Sequence, residues 1–248
     1  MATYAALAHT CWVAGYDLGP DLTDMSLPIE AEELDDTRFG MTGRSRRAGL
    51  ETVSAAVGGL LQLGSGLVEE TLWSGLSDAR QLVTLTSDGT VGQVAYFFQG
   101  RSFKFTPISG AVGTLAPFTL DIQGVRGNAT LSAGAVRGRV LAAKASVSAT
   151  GVLGSSYQLG ALSASQYLYA GLHVFTAGTT VTVVLESAPA SNFASATTRV
   201  TFGPLTTTGG TWATRVAGAV TDTWWRLRVT AITGTFSLAG VAGIKPPA

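Results

Sequence analysis

The chain has 248 residues, of which 13% are charged and 46% hydrophobic, and its formal net charge is zero. That length builds a core without a disulfide or metal staple, and a single cysteine, Cys11, excludes an internal disulfide. The charge balance calls for neither nucleic acid nor a membrane surface, and charge this sparse leaves apolar surface for a protein partner to cover.

The first stretch, Met1–Gly15, has no basic region ahead of its apolar residues. The most apolar run, Ala55–Val68, is broken by Gly58, Gly59, Gln62, Gly64 and Ser65, short of the ~20 residues of a membrane helix. Synthesis in a reducing cytoplasm with no membrane partner is the expectation. Glu30, Glu32, Glu33, Asp35 and Asp36 form the densest carboxylate cluster. Their spacing lacks the glycine and oxygen pattern of a calcium loop, so a solvated strand edge or a subunit contact is the expected use. Thr37–Gly49 follows, with Gly40, Gly43 and Gly49 among Arg38, Arg44, Arg46 and Arg47. It is too flexible and too charged for a core strand, which predicts an extended loop reaching a neighbouring subunit or ring.

Between Gly66 and Ser77, Leu67, Val68, Thr71, Leu72, Gly75 and Leu76 share one face at helical spacing. Ser65 is the expected cap, with Glu69 and Glu70 near the positive end of the dipole. Strand signals dominate the rest. Leu82–Thr86 runs into the turn Ser87-Asp88-Gly89, and Val94–Phe98 with Phe103–Thr106 flank Gln99-Gly100-Arg101 as a predicted hairpin. Phe118–Ile122 alternates. Thr180–Leu185, Thr198–Phe202 and Trp225–Thr230 repeat the pattern, which predicts an all-β fold, a sandwich or partial barrel with one flanking helix.

Charge shifts along the chain. Residues 1–148 hold 14 acidic and 11 basic residues, and residues 149–248 hold two against five. With Ala149–Ser156 resembling a linker, the expectation is two domains, 1–148 and a C-terminal sandwich 149–248 on the outer surface of the assembly.

Candidate chemistry is thin. His9 and His173 are the two histidines; His173, inside Ala170–Val174, reads as a buried or edge side chain of a strand, and Cys11 as a packed one. No nucleophile elbow, metal-binding HExxH, P-loop or complete dinucleotide fingerprint occurs, so no catalytic residue, cofactor or metal is expected. Asn128-Ala129-Thr130 matches a glycosylation acceptor, which means little without a secretion signal. Trp212, Trp224 and Trp225 raise an alternative, a carbohydrate-binding sandwich. Adjacent Trp224 and Trp225 would point to opposite faces of a strand, leaving at most one for a sugar platform.

The chain resembles siphophage major tail tube proteins over roughly residues 12–148. The likeness rests on Tyr16-Asp17-Leu18 through Leu22 and Met25–Glu30, the charged loop from Glu33 to Gly40 with Arg44–Arg47, and the re-entry Gly49–Val53. The helix, Val83-Thr84-Leu85, Asp88-Gly89 and Gly113–Phe118 follow in order. Residues Gln158–Ala161, Leu168–Val174, Arg199–Phe202 and Asp222–Arg226 resemble the C-terminal parts of actinophage-type tail proteins. The resemblance implies a structural, non-enzymatic virion subunit. Six copies would form a ring, and rings would stack into a tube contacting the tape measure and other tail proteins while genomic DNA passes through. It implies an inter-subunit loop containing Thr37, Arg38, Phe39, Gly40, Arg44, Arg46 and Arg47. A lumen that lets DNA slide would carry carboxylates, with Glu30, Glu32, Glu33, Asp35 and Asp36 as candidates.

Overall fold

The computed structural model describes residues 9–76, 80–111, 113–125 and 134–245. Asn128-Ala129-Thr130 and Ser77, the expected end of the helix, lie outside them. The chain is all-β with one flanking helix, in two antiparallel sheets with no closed barrel.

The first half supplies β1 (Thr10–Val13), β2 (Tyr16–Asp17), β3 (Leu22–Ser26), β4 (Ile29–Asp35) and β5 (Arg46–Leu60). After α1 (Val68–Ser74) come β6 (Gln81–Thr86), β7 (Val94–Thr106), β8 (Pro117–Gly124) and β9 (Val136–Val147). The second half supplies β10 (Gly151–Gln158), β11 (Tyr167–Thr176), β12 (Thr180–Ala188), β13 (Thr197–Leu205) and β14 (Gly209–Trp212). It ends in β15 (Val216–Ala217), β16 (Trp224–Thr233) and β17 (Phe236–Lys245).

The large sheet runs β14-β11-β17-β9-β7-β6-β1-β2; β8 pairs with β7, β5 with β8, and β3 and β4 with β5. The small sheet runs β10-β16-β12-β13. Alternation along the strands sorts side chains into three cores. Phe97, Val140 and Val241 point to the inside of the curled large sheet with Trp12, Leu82 and Tyr169. Leu141, Leu172 and Leu238 point the other way, onto Leu185, Phe202, Trp225 and Leu227 of the small sheet. Phe98 joins Val57, Phe118, Leu120 and Ile122 beneath Val68 and Leu72 of α1. Strands such as β7 and β9 are therefore buried on both faces at their centres.

Three expectations need correction, and a fourth bears on the sheet topology. Val94–Thr106 is one strand rather than a hairpin: β7 pairs with β6 and β9 over its first half and with β8 over its second. Gly100 serves packing there rather than a turn, since a Cβ on it would lie 2.6 Å from Ile122 Cγ2. The supposed linker Ala149–Ser156 is mostly β10, bulged between Leu153 and Tyr157 against β16. Its Gly154, at φ +74°, lies so close over β9 that a Cβ would meet the carbonyl oxygen of Leu141. The helix begins at Val68, and Leu67 occupies the cap position without a side-chain bond. Glu70 accepts from the Gly66 amide at 2.5 Å, ahead of the first helical turn.

The fourth concerns the division at Ala149. The large sheet draws on both sides of it: β17 pairs with β9 from Phe236↔Val147 to Ala242↔Arg139, and β11 pairs with β17. Trp12, Phe97 and Val140 share a core with Tyr169, Ala239 and Val241. The change of composition at Ala149 thus marks a change of sheet, with β10 crossing to the small one, and not a gap in packing.

Candidate assembly surface

Two strands leave the body of the protein. β4 pairs with the first half of β5 in the register Ile29↔Val53, Ala31↔Glu51, Glu33↔Ala48 and Asp35↔Arg46, with a bulge between Ala31 and Glu33. Every residue of β4 is exposed. Val53, at the root, is 3% exposed, and β5 there continues onto β8 from Ser54↔Gln123. Seven residues at about 3.3 Å each carry the hairpin roughly 23 Å from its root before the tip begins. The expected loop Thr37–Gly49 is therefore shorter than its charge implied: Arg46–Gly49 are strand, and only residues 36–45 form the tip.

Local bonds shape that tip. The Asp36 amide donates to Ser45 O at 2.8 Å, and the Thr37 amide donates to Asp35 Oδ1 at 2.8 Å. The Ser45 amide donates to Thr37 Oγ1 at 3.1 Å. Bonds from the Thr37 hydroxyl and amide hold the Asp35 carboxyl below its usual range. Beyond this base, the Met41 amide closes a turn onto Arg38 O at 3.2 Å, with Gly40 at φ +91°.

The acidic and basic residues meet along the hairpin. Arg46 Nε lies 2.7 Å from Glu33 Oε1, Arg47 Nε 2.6 Å from Asp36 Oδ2, and Arg38 Nη2 3.5 Å from Asp36 Oδ1. The arginines of these pairs are exposed and only Asp36 is half-buried, so each pair is worth about 0–1 kcal/mol and favours this register more than it stabilises the fold. Among the described residues Glu30, Glu32 and Arg44 form no ion pair. At the root, Lys245 Nζ binds Glu51 Oε2 at 2.7 Å and Ala135 O at 3.0 Å, tying the arm to the far end of β17.

The apolar residues on this charged arm are its most telling feature. Phe39 is fully exposed, Leu50 is 75% exposed, and Met41, Leu34 and Ile29 are exposed as well. Sequence reasoning singled out Phe39 within the charged loop and passed over Met41 and Leu50. Apolar residues between charges on an all-exposed hairpin were the available signal.

The other candidate groups are inward. His173 is fully buried inside the curl; the Gly15 amide donates to its Nδ1 at 3.4 Å, so Nε2 carries the proton and donates to Thr84 Oγ1 at 2.9 Å. Burial pushes its pKa from 6.5 down to about 3. The fold holds it neutral while the unfolded chain takes up a proton, so its contribution is complete above pH 6.5 and lost as pH falls towards 3. We expect the wild type to lose about tenfold in its folding constant per pH unit in that window relative to His173→Gln, measured by urea unfolding. Burial, and then the charge of Asp17, push the Cys11 thiol up to about 12. Trp225 is buried with its Nε1 donating to Gly160 O at 3.0 Å, and Trp224 faces the other side of β16, partly exposed. Beside it, Glu186 is enclosed by Arg226 at 2.8 Å and Arg228 at 3.5 Å, and Arg226 lies over Phe193 at 4.1 Å. That face is a satisfied ionic cluster with one tryptophan at its end.

No family model matches the chain, and no curated protein matches it. Among solved structures, a chain in the virion of a native gene transfer agent particle aligns with 43% of this chain and 82% of its own, at 15% identity and a TM-score of 0.34. A chain in the tail of an empty gene transfer agent particle, with C6 symmetry, aligns with 43% of this chain and 79% of its own, at 13% identity and a TM-score of 0.34. The SPP1 Dit protein, described as a paradigm of the hub adsorption apparatus in phages infecting Gram-positive bacteria, aligns with 96% of this chain and 99% of its own. Its identity is 12% and its TM-score 0.33, and likeness at these levels establishes neither a common fold nor a common role.

Proposed function

We propose that this protein is a virion structural subunit of a long non-contractile phage tail, a tail tube protein that works by assembling with copies of itself and not by chemistry. The observation that carries this reading is the hairpin arm of β4 and β5, which leaves the core and exposes Phe39, Met41 and Leu50 among charges. Burying one such side chain is worth about 1.5–3 kcal/mol, which a partner can supply. Unpaired strand edges add to the case. Among the described strands β4 pairs with β5 alone, and β13 ends the small sheet; joining sheets into a ring covers such edges.

On this reading the subunits form stacked rings of six in the virion tail, around a channel that meets the tape measure and passes genomic DNA. Glu30 and Glu32, without ion pairs among the described residues, are the carboxylates left to face that channel, because Glu33 and Asp36 engage Arg46 and Arg47 of the same hairpin. A lumen short of guanidinium avoids fixed phosphate contacts that would stall transit. Negative-stain electron microscopy of the purified protein tests the proposal: rings or tubes are expected. Monomers that bind glycan arrays would favour the carbohydrate-binding alternative instead.

A further inference from the structure

Beside the root of the arm lies an apolar groove of about 510 Å³. Met25, Leu27 and Ile29 form one wall, from β3 to the start of β4, and Leu85, Val94 and Tyr96 form the other, from β6 and β7. We propose that the arm tip of a second copy of this chain seats Phe39 and Met41 in this groove. The inference rests on the self-assembly proposed above and names the surface that receives the arm.

Two observations support it. The groove is larger than the two side chains together and apolar on both walls, while Phe39 and Met41 are exposed at the tip. Charge does not oppose it: the tip, residues 36–45, holds Asp36 against Arg38 and Arg44, a net of +1, and the described lining of the groove includes no Lys or Arg. Reach excludes an internal contact. Pairing of β4 with β5 holds the hairpin extended, so the tip stands roughly 23 Å or more from Ile29 of its own chain. Tip and groove are different patches of one molecule, so the contact is head-to-tail and generates a ring or a filament.

Single-cysteine partners test it in the full chain, because Cys11 is buried and stays unreactive. Phe39→Cys protein is mixed with Ser26→Cys protein, Ser26 lying on the groove, or with Leu115→Cys protein, Leu115 being exposed beyond the far end of β5. The expected result on mild oxidation is a disulfide-linked dimer of Phe39→Cys with Ser26→Cys at least tenfold over the Leu115→Cys mixture. Adding Val94→Trp to fill the groove should remove it. Preferential linkage to Leu115→Cys, with rings or tubes still visible by microscopy, would overturn the groove and leave assembly standing. No linkage and no assembly at any concentration would overturn both. A bond within one chain in an Ala5→Cys, Ser26→Cys double variant, with none between copies, would make the chain's own first residues the occupant and also overturn the proposal.

Discussion

Replacing residues 36–45 with an Asn-Gly turn is expected to yield a folded monomer that no longer assembles. The replaced residues contribute nothing to the three cores, and β4 and β5 retain their register because Asn-Gly closes a two-residue hairpin. The melting temperature should stay within a few degrees of wild type. Assembly should fail because the variant lacks Phe39 and Met41, each worth about 1.5–3 kcal/mol when buried, at a contact repeated in every subunit. Phe39→Ala alone should raise the concentration at which polymer appears about tenfold to a hundredfold, since every 1.4 kcal/mol is a factor of about ten. Sedimentation velocity across a concentration series reads both effects. Normal polymer from the shortened arm would remove the arm from the mechanism of assembly.

The second large effect concerns truncation. A chain ending at Ala149 is expected not to fold cooperatively. It would lose β17 from one edge of β9, and Trp12, Phe97 and Val140 would lose Tyr169, Ala239 and Val241 from their shared core. Deleting large buried side chains costs about 2–5 kcal/mol each, against a total stability of about 5–15 kcal/mol for an ordinary domain. The truncated chain should show no sigmoidal urea transition and should bind a hydrophobic dye. A cooperative transition, with narrower tubes by microscopy, would restore residues 149–248 to the status of an independent outer domain.

Much of the fold was legible because the decisive signals are local. Phe118, Leu120 and Ile122 alternate with polar neighbours and all three are buried. Trp224 and Trp225 fall on opposite faces of β16, as adjacent strand residues must. The misreadings share one cause. Gly100 and Gly154 resemble turn residues in sequence, yet each is demanded by a strand or side chain far away in the chain. The arm was legible as charge, through Arg38, Arg46, Arg47 and the carboxylates from Glu30 to Asp36, but its hairpin register was not. Its receiving groove was invisible, because Met25, Ile29, Leu85 and Tyr96 come together only through sheet order.

The position of β17 also governs when the root of the arm is completed. Among the described strands it comes after every other, and it is inserted in the interior of the large sheet, between β11 and β9. Pairings separated this far in sequence form slowly. Lys245 closes on Glu51 at the arm's root only once β17 is in place. The arm is thus braced twice, first through β8 and later through Lys245 on β17, so its stiffness is completed after its own strands are made.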